Sequence, residues 1–323
     1  MSQQNVWLRR YSKLVVLATL GLIFLGALVK SFEVGLSVPD WPTTYGYQMF
    51  AFPWSDMVGG IFYEHSHRMV ATIVGALTLG LSLWLFLVEK RENVKRLGYV
   101  ALILVIFQGL LGGLTVMFFL PTFISMLHGI TAQIFFLVVI LIAYALSNEF
   151  NSNQNYSSGD PKFIYYLFVA VFIQLVLGAW MRHTESGLAI YDFPQMAGQW
   201  IPFFNESSLN MINDWRFDMD MEDVTLYQVW IHFSHRITAF LILIFTSIIG
   251  YQFYVKRHKT HRTLSLNVWL LFSLVLFQLI LGMVTIWSVK DPLITSIHVV
   301  NGAAVMGLSF QLLLRSSSLS ILK

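Results

Sequence analysis

Four histidines fall into two pairs with nearly equal spacing along the chain. His67 and His128 are 61 residues apart, and His235 and His298 are 63 residues apart. Two imidazoles on separate helices can be the axial ligands of one haem iron. A zinc site is disfavoured, because each pair has at most one nearby carboxylate and the chain has no cysteine. Duplicated pairing also disfavours hydrogen-bonded core histidines, so we predict two bis-histidine haem sites.

A carboxylate accompanies only the first pair of histidines. Glu64 precedes His67 by three residues, which places both side chains toward one face of a helix. The residue at the matching place before His235 is His232. Glu64 is therefore the predicted catalytic residue, which moves protons or stabilises a cationic intermediate during an oxidation. The alternative is a structural role, as the partner of Arg68 or as an acid at a helix N-terminus.

Several basic residues stand where apolar runs end on the side of the paired histidines. These cations can bind the propionates of haem, or they can anchor the helices at the membrane surface. They are Lys30, Arg68, Arg182 and Arg236. The remaining histidines lack a repeated partner, and we expect them to be solvated or interfacial. They are His65, His183, His258 and His261.

The positions of these residues depend on a chain that is built for lipid. Of its 323 residues 56% are hydrophobic and 11% are charged, and the mean hydropathy is +0.66. Runs of about 20 apolar residues cross a bilayer as helices, since each helix satisfies its own backbone. We predict an all-α, polytopic membrane protein with eight such helices. They lie near 12–30, 67–88, 97–119, 123–146, 163–181, 229–254, 265–288 and 293–314.

Charge is distributed unevenly between the two ends of these spans. Fourteen of the 20 Lys and Arg residues lie on one side, so the positive-inside rule predicts that both termini are cytoplasmic in a cell (inner) membrane. These basic residues are Arg9, Arg10, Lys13, Lys90, Arg91, Lys95, Arg96, Lys162, Lys256, Arg257, Lys259, Arg262, Arg315 and Lys323. They form short clusters rather than a long basic stripe, which argues against nucleic acid as a partner.

The two halves of the sequence resemble each other. Segment 25–42 recurs at 177–194 with an offset of 152, including Leu-Gly-Ala, a following basic residue and an Asp-aromatic-Pro triplet. The first histidine pair recurs as the second pair at offsets of 168 and 170, and Phe107-Gln108 recurs as Phe277-Gln278 at 170. Four spans per unit give a parallel repeat. We predict two fused four-helix bundles, in residues 1–150 and 151–323.

A transporter is another class of protein that is built from parallel repeats. It would have broken helices with polar residues at the membrane midplane. In this sequence the polar residues of the spans cluster toward the outer ends instead. A redox protein is therefore the preferred interpretation.

Several motifs together resemble the haem A synthase family over nearly the whole chain. They are Gly35-Leu-Ser-Val-Pro-Asp-Trp-Pro42, Glu64-x-x-His67-Arg68, Leu127-His128-Gly129, His235-Arg236 and His298-x-x-Asn301-Gly302. The resemblance implies oxidation of the C8 methyl of haem O, through successive hydroxylations, to the formyl group of haem A for cytochrome oxidase biogenesis. Some members carry a Cys pair in the outer loops, so this chain is similar to the Cys-free proteobacterial and mitochondrial-like branch. It departs from the family at Lys30, where an arginine is usual.

The resemblance also implies the roles of the paired histidines. In that family the N-terminal half holds the substrate haem, which points to His67 and His128 with Glu64 essential. The C-terminal half carries haem b, which points to His235 and His298. Implied partners are haem O, dioxygen or water, an unidentified electron donor, haem O synthase, cytochrome oxidase assembly factors and a second copy in a homo-oligomer. The alternative function is a non-catalytic bis-histidine b-type cytochrome that relays electrons or transfers haem.

Overall fold

The computed structural model describes residues 6–151, 161–200, 204–255 and 262–316. Its regular secondary structure is helical, and eight of the helices in these ranges are long and apolar enough to cross a membrane. The helices are α1 (Val6–Ser31), α2 (Gly59–Val88), α3 (Glu92–Met117), α4 (Thr122–Ala145), α5 (Asn148–Asn151), α6 (Pro161–His183), α7 (Glu206–Asp218), α8 (Leu226–Val255), α9 (Arg262–Trp287) and α10 (Pro292–Ser316). Only α5 and α7 are too short to span. The predicted all-α fold with eight membrane helices is confirmed.

All eight spanning helices begin before their predicted apolar runs do, and the difference is largest for α2, at eight residues. The predicted run starts at 67 but α2 begins at Gly59, and the predicted run at 229 belongs to a helix that begins at Leu226. Hydropathy falls before residue 67 because Glu64 is charged, and Arg68 is a second charge just inside the run. The helix continues through them because both side chains bond to the preceding loop. Polar residues with partners inside the protein do not end a membrane helix.

Local capping fixes the start of α10, which carries His298. The Asp291 side chain accepts hydrogen bonds from the backbone N–H groups of Leu293 and Ile294, each at 3.0 Å. Pro292 occupies the first helical position, where a missing N–H costs no hydrogen bond. The start of the helix, and hence the position of His298 six residues later (298 against 292), is set by sequence-local chemistry.

The spanning helices form two rings of four. In the first ring α1 packs on α2, α2 on α3, α3 on α4 and α4 on α1. In the second ring α6 packs on α8, α8 on α9, α9 on α10 and α10 on α6. The rings meet where α1 contacts α10, and where α4 contacts α6 and α10. These neighbours are the ones that two fused four-helix bundles require, while the repeat itself and the domain boundary at 150 stay predictions.

Each ring has its own buried core. Val15 and Val139 are fully buried in the first, and Leu167 and Leu312 are fully buried in the second. Ala303 of α10 is buried in the first core, so the last helix packs on both halves. Lipid is as apolar as these side chains, so close packing rather than exclusion from water stabilises the helix contacts.

Polar contacts join the two halves at both ends of the helices. At one end the Arg182 guanidinium donates to the Ala27 carbonyl at 2.7 Å and to the Ser31 hydroxyl at 2.8 Å. At the other end Arg315 binds both carboxylate oxygens of Glu149, at 2.7 and 2.9 Å. A bidentate pair of this kind fixes orientation as well as distance. The halves are therefore joined at both ends.

Two long loops, 32–58 and 184–225, lie at the same end of the two rings, which we call the loop end. Each loop contains a cis peptide bond, Trp41–Pro42 in the first and Phe193–Pro194 in the second. The second loop also contains α7, whose N-terminus is capped by Asn205. Both loops precede helices that carry a paired histidine, so they are placed to cover the two sites.

A tight turn after Asp40 shapes the first loop. Tyr45 and Gly46 both have positive φ, as in the tight turns that favour glycine, and their N–H groups donate to Asp40 at 2.7 and 2.9 Å. Burial alone would raise the pKa of Asp40, but the hydrogen bonds from Gly46, Thr43 and Tyr45 hold it below its ordinary value. Asp192 makes the same two backbone bonds in the second loop. The carboxylate in each loop therefore organises the turn that follows it.

Candidate haem sites

Each histidine of the first pair lies against a glycine of a neighbouring helix. A Cβ atom at Gly26 of α1 would stand 2.9 Å from Cε1 of His67 on α2. A Cβ atom at Gly112 of α3 would stand 3.5 Å from Cε1 of His128 on α4. The absence of a side chain at Gly26 is what admits the His67 ring, since 2.9 Å is closer than carbon atoms pack. Both imidazoles thus lie against bare backbone near the loop end.

The second pair has the same environment. A Cβ atom at Gly178 of α6 would stand 3.2 Å from Cε1 of His235 on α8. A Cβ atom at Gly282 of α9 would stand 3.4 Å from Cε1 of His298 on α10. The sequence showed that these glycines recur, within Leu-Gly-Ala and Leu-Gly, but it did not show what they face.

The chemistry of the four imidazoles fits haem. Among the described residues, the Nδ1 atoms of three paired histidines are buried and have no hydrogen-bond partner. They belong to His67, His235 and His298. A buried nitrogen without a partner is costly, and a bound group that engages the imidazole ring would offset that cost. In the same part of the chain no group of three or more His, Cys, Asp or Glu side chains could hold a metal ion. Two imidazoles per half suit a macrocycle that supplies the other iron ligands itself.

A glutamine supports one histidine of the second pair. The Gln278 amide nitrogen lies 3.1 Å from Nε2 of His298 and donates to the His298 carbonyl at 3.0 Å. Asn301 donates to the Gln278 amide oxygen at 2.6 Å and so holds the glutamine in place. In the first half Gln108 contacts the Thr131 hydroxyl. Such neighbours set the orientation of a ligand ring. Sequence reasoning missed this role, although the recurrence of the glutamine at offset 170 was its signal.

Glu64 is held by the first loop and by its own helix. Its Oε2 accepts the Val38 N–H at 2.9 Å, and its Oε1 accepts from Arg68 at 2.5 Å. His232 has the corresponding neighbours, because its Nδ1 lies 3.2 Å from the Ile190 nitrogen and its Nε2 lies 3.2 Å from Nε of Arg236. A neutral imidazole can accept a hydrogen bond from only one of the two. Both side chains are only 3% exposed. The contact with Arg68 that the structural alternative requires is therefore present, and the catalytic role stays a prediction.

The arginines that follow His67 and His235 bind loop carbonyls. Arg68 donates to Val38 at 2.7 Å, to Asp40 at 2.6 Å and to Thr43 at 3.2 Å. Arg236 makes the equivalent bonds to the second loop, at 2.8 Å to residue 190 and 3.1 Å to residue 195. Each guanidinium therefore ties a loop to the helix that carries a paired histidine. Propionate binding by these arginines stays a prediction.

The other two predicted propionate-binding residues lie between the halves. Lys30 forms an ion pair with Glu185 at 2.8 Å, and Lys290 approaches the second oxygen of the same carboxylate at 3.3 Å. Burial would raise the pKa of Glu185, but Lys30 and Lys290 hold it below its ordinary value. Arg182 bonds to α1 as described above. Lys30 of the first half thus contacts the second half, and Arg182 of the second half contacts the first. Their binding to propionates stays a prediction.

The expectation for one unpaired histidine was wrong. His65 is 1% exposed, and its Nδ1 lies 2.9 Å from the Thr44 hydroxyl, beneath the first loop. His67, two residues later, faces Gly26, so nearby residues of α2 contact a loop and a candidate haem site. His183 is partly exposed, as expected. His258 and His261 lie outside the described residues.

The sequence matches a known protein family over most of its length. A sequence profile of the COX15-CtaA family, described as cytochrome oxidase assembly protein, matches residues 9–310. That range includes all four paired histidines and both long loops. The chain belongs to this family. The resemblance inferred from the motifs is confirmed.

Individual relatives are similar over most of their length. A protein named "Heme A synthase" from Alkalihalophilus pseudofirmus is 28% identical over 297 residues, covering 90% of this chain and 91% of that protein. One with the same name from Shewanella oneidensis is 26% identical over 301 residues, covering 86% of each. A third, from Pelagibacter ubique, is 24% identical over 351 residues, covering 97% and 96%. The similarity therefore extends over both halves.

Proposed function

We propose that this protein is a haem A synthase, an oxidoreductase that converts the C8 methyl group of haem O to the formyl group of haem A. Membership of the COX15-CtaA family and the shared name of its relatives support this function. Its main structural support is the two pairs of imidazoles, each set against glycine on neighbouring helices. Haem extracted from the purified protein and identified by mass should include haem O or haem A. Haem B alone would contradict the proposal.

The two halves have different tasks in this proposal. Residues 1–150 hold the substrate haem through His67 and His128, and residues 151–323 hold haem b through His235 and His298. Haem b, when bound, supplies electron transfer. The difference at Glu64 and its counterpart His232, which have matching loop contacts but different chemistry, supports this division.

Substitution of the second pair tests the division of tasks. His235→Ala or His298→Ala should each remove the b-type low-spin absorbance, because one axial ligand is lost. The haem O content should be retained, since its ligands lie in the other ring. If both variants keep a full haem B complement, the assignment of the second site is wrong.

Glu64 acts on protons in this mechanism. Conversion of a methyl group to a formyl group replaces two hydrogen atoms of the carbon by one oxygen atom, a four-electron oxidation in which protons must be moved to or from the reacting groups. A carboxylate with a fixed orientation can accept such protons. The Val38 N–H and the Arg68 guanidinium supply that orientation.

The remaining reactants come from outside the chain. If dioxygen supplies the oxygen atom, a separate electron donor and protons reduce the second oxygen atom to water in each hydroxylation. If water supplies it, an external electron acceptor takes the four electrons. We place the protein in the cell (inner) membrane with both termini in the cytoplasm, because the positive-inside rule favours that orientation. Haem O synthase and cytochrome oxidase assembly factors are the proposed protein partners, and a homo-oligomer is compatible with this arrangement.

One contact favours a second candidate function. The buried ion pair between Glu64 and Arg68 gives the carboxylate a structural role that needs no chemistry. A non-catalytic bis-histidine cytochrome, which relays electrons or transfers haem, would need only that role. The two functions differ in whether loss of the Glu64 carboxylate stops haem A formation.

A further inference from the structure

The indole of Trp41 lies directly on the backbone of α3. A Cβ atom at Gly113 would stand 2.6 Å from Cδ2 and Cε2 of Trp41 and 2.9 Å from its Cε3. These distances are well inside van der Waals contact, so only glycine admits the ring in this position. The whole residue Trp41 is 37% exposed. Trp41 is therefore fixed against α3 on one side and accessible on another.

This contact adjoins the first histidine pair from two directions. Gly113 follows Gly112, which is the glycine that faces His128. The loop that carries Trp41 is tied to α2 by Arg68, the residue after His67. Arg68 binds carbonyls on both sides of Trp41, at residues 38 and 40 before it and at residue 43 after it. The indole thus connects the helix of one histidine to the helix that faces the other.

The second half lacks this arrangement. At the offset of 152 the residue corresponding to Trp41 is Phe193, and at the offset of 170 the residue corresponding to Gly113 is Met283. The Phe193 ring lies under the guanidinium of Arg236, 5.9 Å from its centre. In both halves an arginine holds the loop. In the described residues, only the first half places a large aromatic side chain on a glycine of α3, and the corresponding helix of the second half is α9.

We propose that Trp41, seated on Gly113, closes the loop end of the first haem site and keeps the substrate haem in place while it is oxidised. This inference rests on the proposed function for the identity of that haem. A substrate that reacts in successive steps must stay bound between them and leave afterwards, whereas haem b is a resident group that stays bound throughout. Trp41 is a positioning residue, because the structure gives it no role in the chemistry.

The test measures how fast each haem leaves the full-length protein. Wild type and variants are purified in lipid nanodiscs and mixed with excess apomyoglobin, and the haem that remains is separated into haems B, O and A. Trp41→Ala should release haem O and haem A about tenfold faster, as expected for the loss of one large aromatic contact. Gly113→Ala keeps the indole but displaces it from α3, so it should have the same direction of effect. Loss of haem B should be unchanged in both variants.

Two further variants make the result specific. Phe193→Ala is the matched control in the other loop, and it should leave the release of haem O at the wild-type rate. Trp41→Phe keeps an aromatic ring, so it provides a test even if Trp41→Ala does not fold. It should release haem O about threefold faster than wild type. Release of haem O within twofold of wild type from both Trp41 variants would overturn the proposal. Equal acceleration of both haems would also overturn it, because a merely structural role has that effect.

The proposed function can fail separately. If the wild-type protein holds only haem B in both halves, the assignment as haem A synthase is wrong. In that case the release of haem B from Trp41→Ala would be compared with its release from wild type, and a faster fraction would belong to the first site. Acceleration of one half of the haem would support the role of Trp41 in closing that site, and no acceleration would refute it.

Discussion

Replacing Glu64 by glutamine should stop haem A formation while haem remains bound at His67. Glutamine has nearly the same volume, so the packing around the carboxyl group survives. Its amide NH2 must face either Arg68 or the Val38 N–H, and both of these are donors. One buried hydrogen bond is therefore lost at a cost of about 1–3 kcal/mol.

The loss should stay below the cost of leaving a buried charge unpaired, which is about 3–5 kcal/mol. Arg68 loses its counter-charge but keeps hydrogen bonds to three loop carbonyls. A thermal unfolding curve in detergent should show modest destabilisation of an assembled protein. Haem A formation should fall by about 100-fold or more, the usual contribution of a proton-transfer group. Haem O, or a hydroxylated intermediate, should accumulate.

The assay is extraction of haem from cells that carry each variant, followed by separation of haems B, O and A. His232→Gln is the matched control, since it changes the side chain that has the same contacts in the second half. It should alter the spectrum or potential of haem b more than the product distribution. Wild-type amounts of haem A from Glu64→Gln would refute the catalytic role.

A second comparison separates catalysis from structure. Arg68→Met removes the same ion pair but keeps the carboxylate, and it also frees the loop that carries Trp41. We expect this variant to lose haem O more readily, whereas Glu64→Gln should retain haem O and fail to oxidise it. The same pattern of haem loss from both variants would favour Glu64 as a structural partner of Arg68.

Three further predictions concern packing, orientation and pH. Gly26→Ala should lower the haem O content, because its Cβ would stand 2.9 Å from the imidazole it faces, whereas Gly21→Ala, with open space around its Cβ, should be neutral in the same extraction assay. A reporter fused after Lys323 should be cytoplasmic. The variant Asn210→Cys has a single thiol, because the chain has no other cysteine, and it should react with a membrane-impermeant maleimide added from outside. The opposite labelling would overturn the orientation predicted from charge. The pKa of Asp40 is lower in the folded protein than in the unfolded chain. The ionised carboxylate therefore stabilises the fold at pH values above its pKa in the unfolded chain, and this stabilisation is lost as the pH falls through its pKa in the folded protein. Asp40→Asn should therefore flatten the acid dependence of first-loop hydrogen exchange between about pH 5 and pH 3, and an unchanged profile would contradict this reasoning.

Much of the fold could be predicted from the sequence because membrane helices are encoded locally. Each needs about 20 apolar residues and satisfies its own backbone, so composition alone located all eight. The paired histidines could be selected because they recur at matching offsets, whereas His65 and the other unpaired histidines do not. Helix starts were predicted less well. The apolar run begins at residue 67, but α2 extends further back through Glu64 to Gly59.

What only the tertiary structure decided is which distant residues touch. The sequence showed Gly26, Gly112 and Gly113 as small residues in apolar runs, without revealing that two face imidazoles and the third faces Trp41. It placed Arg68 near the site but not against three loop carbonyls, and it left His65 exposed although the first loop buries it. Periodicity and hydropathy describe one helix at a time. Contacts between segments depend on how helices and loops pack against each other, and that information is not present in any single run of residues.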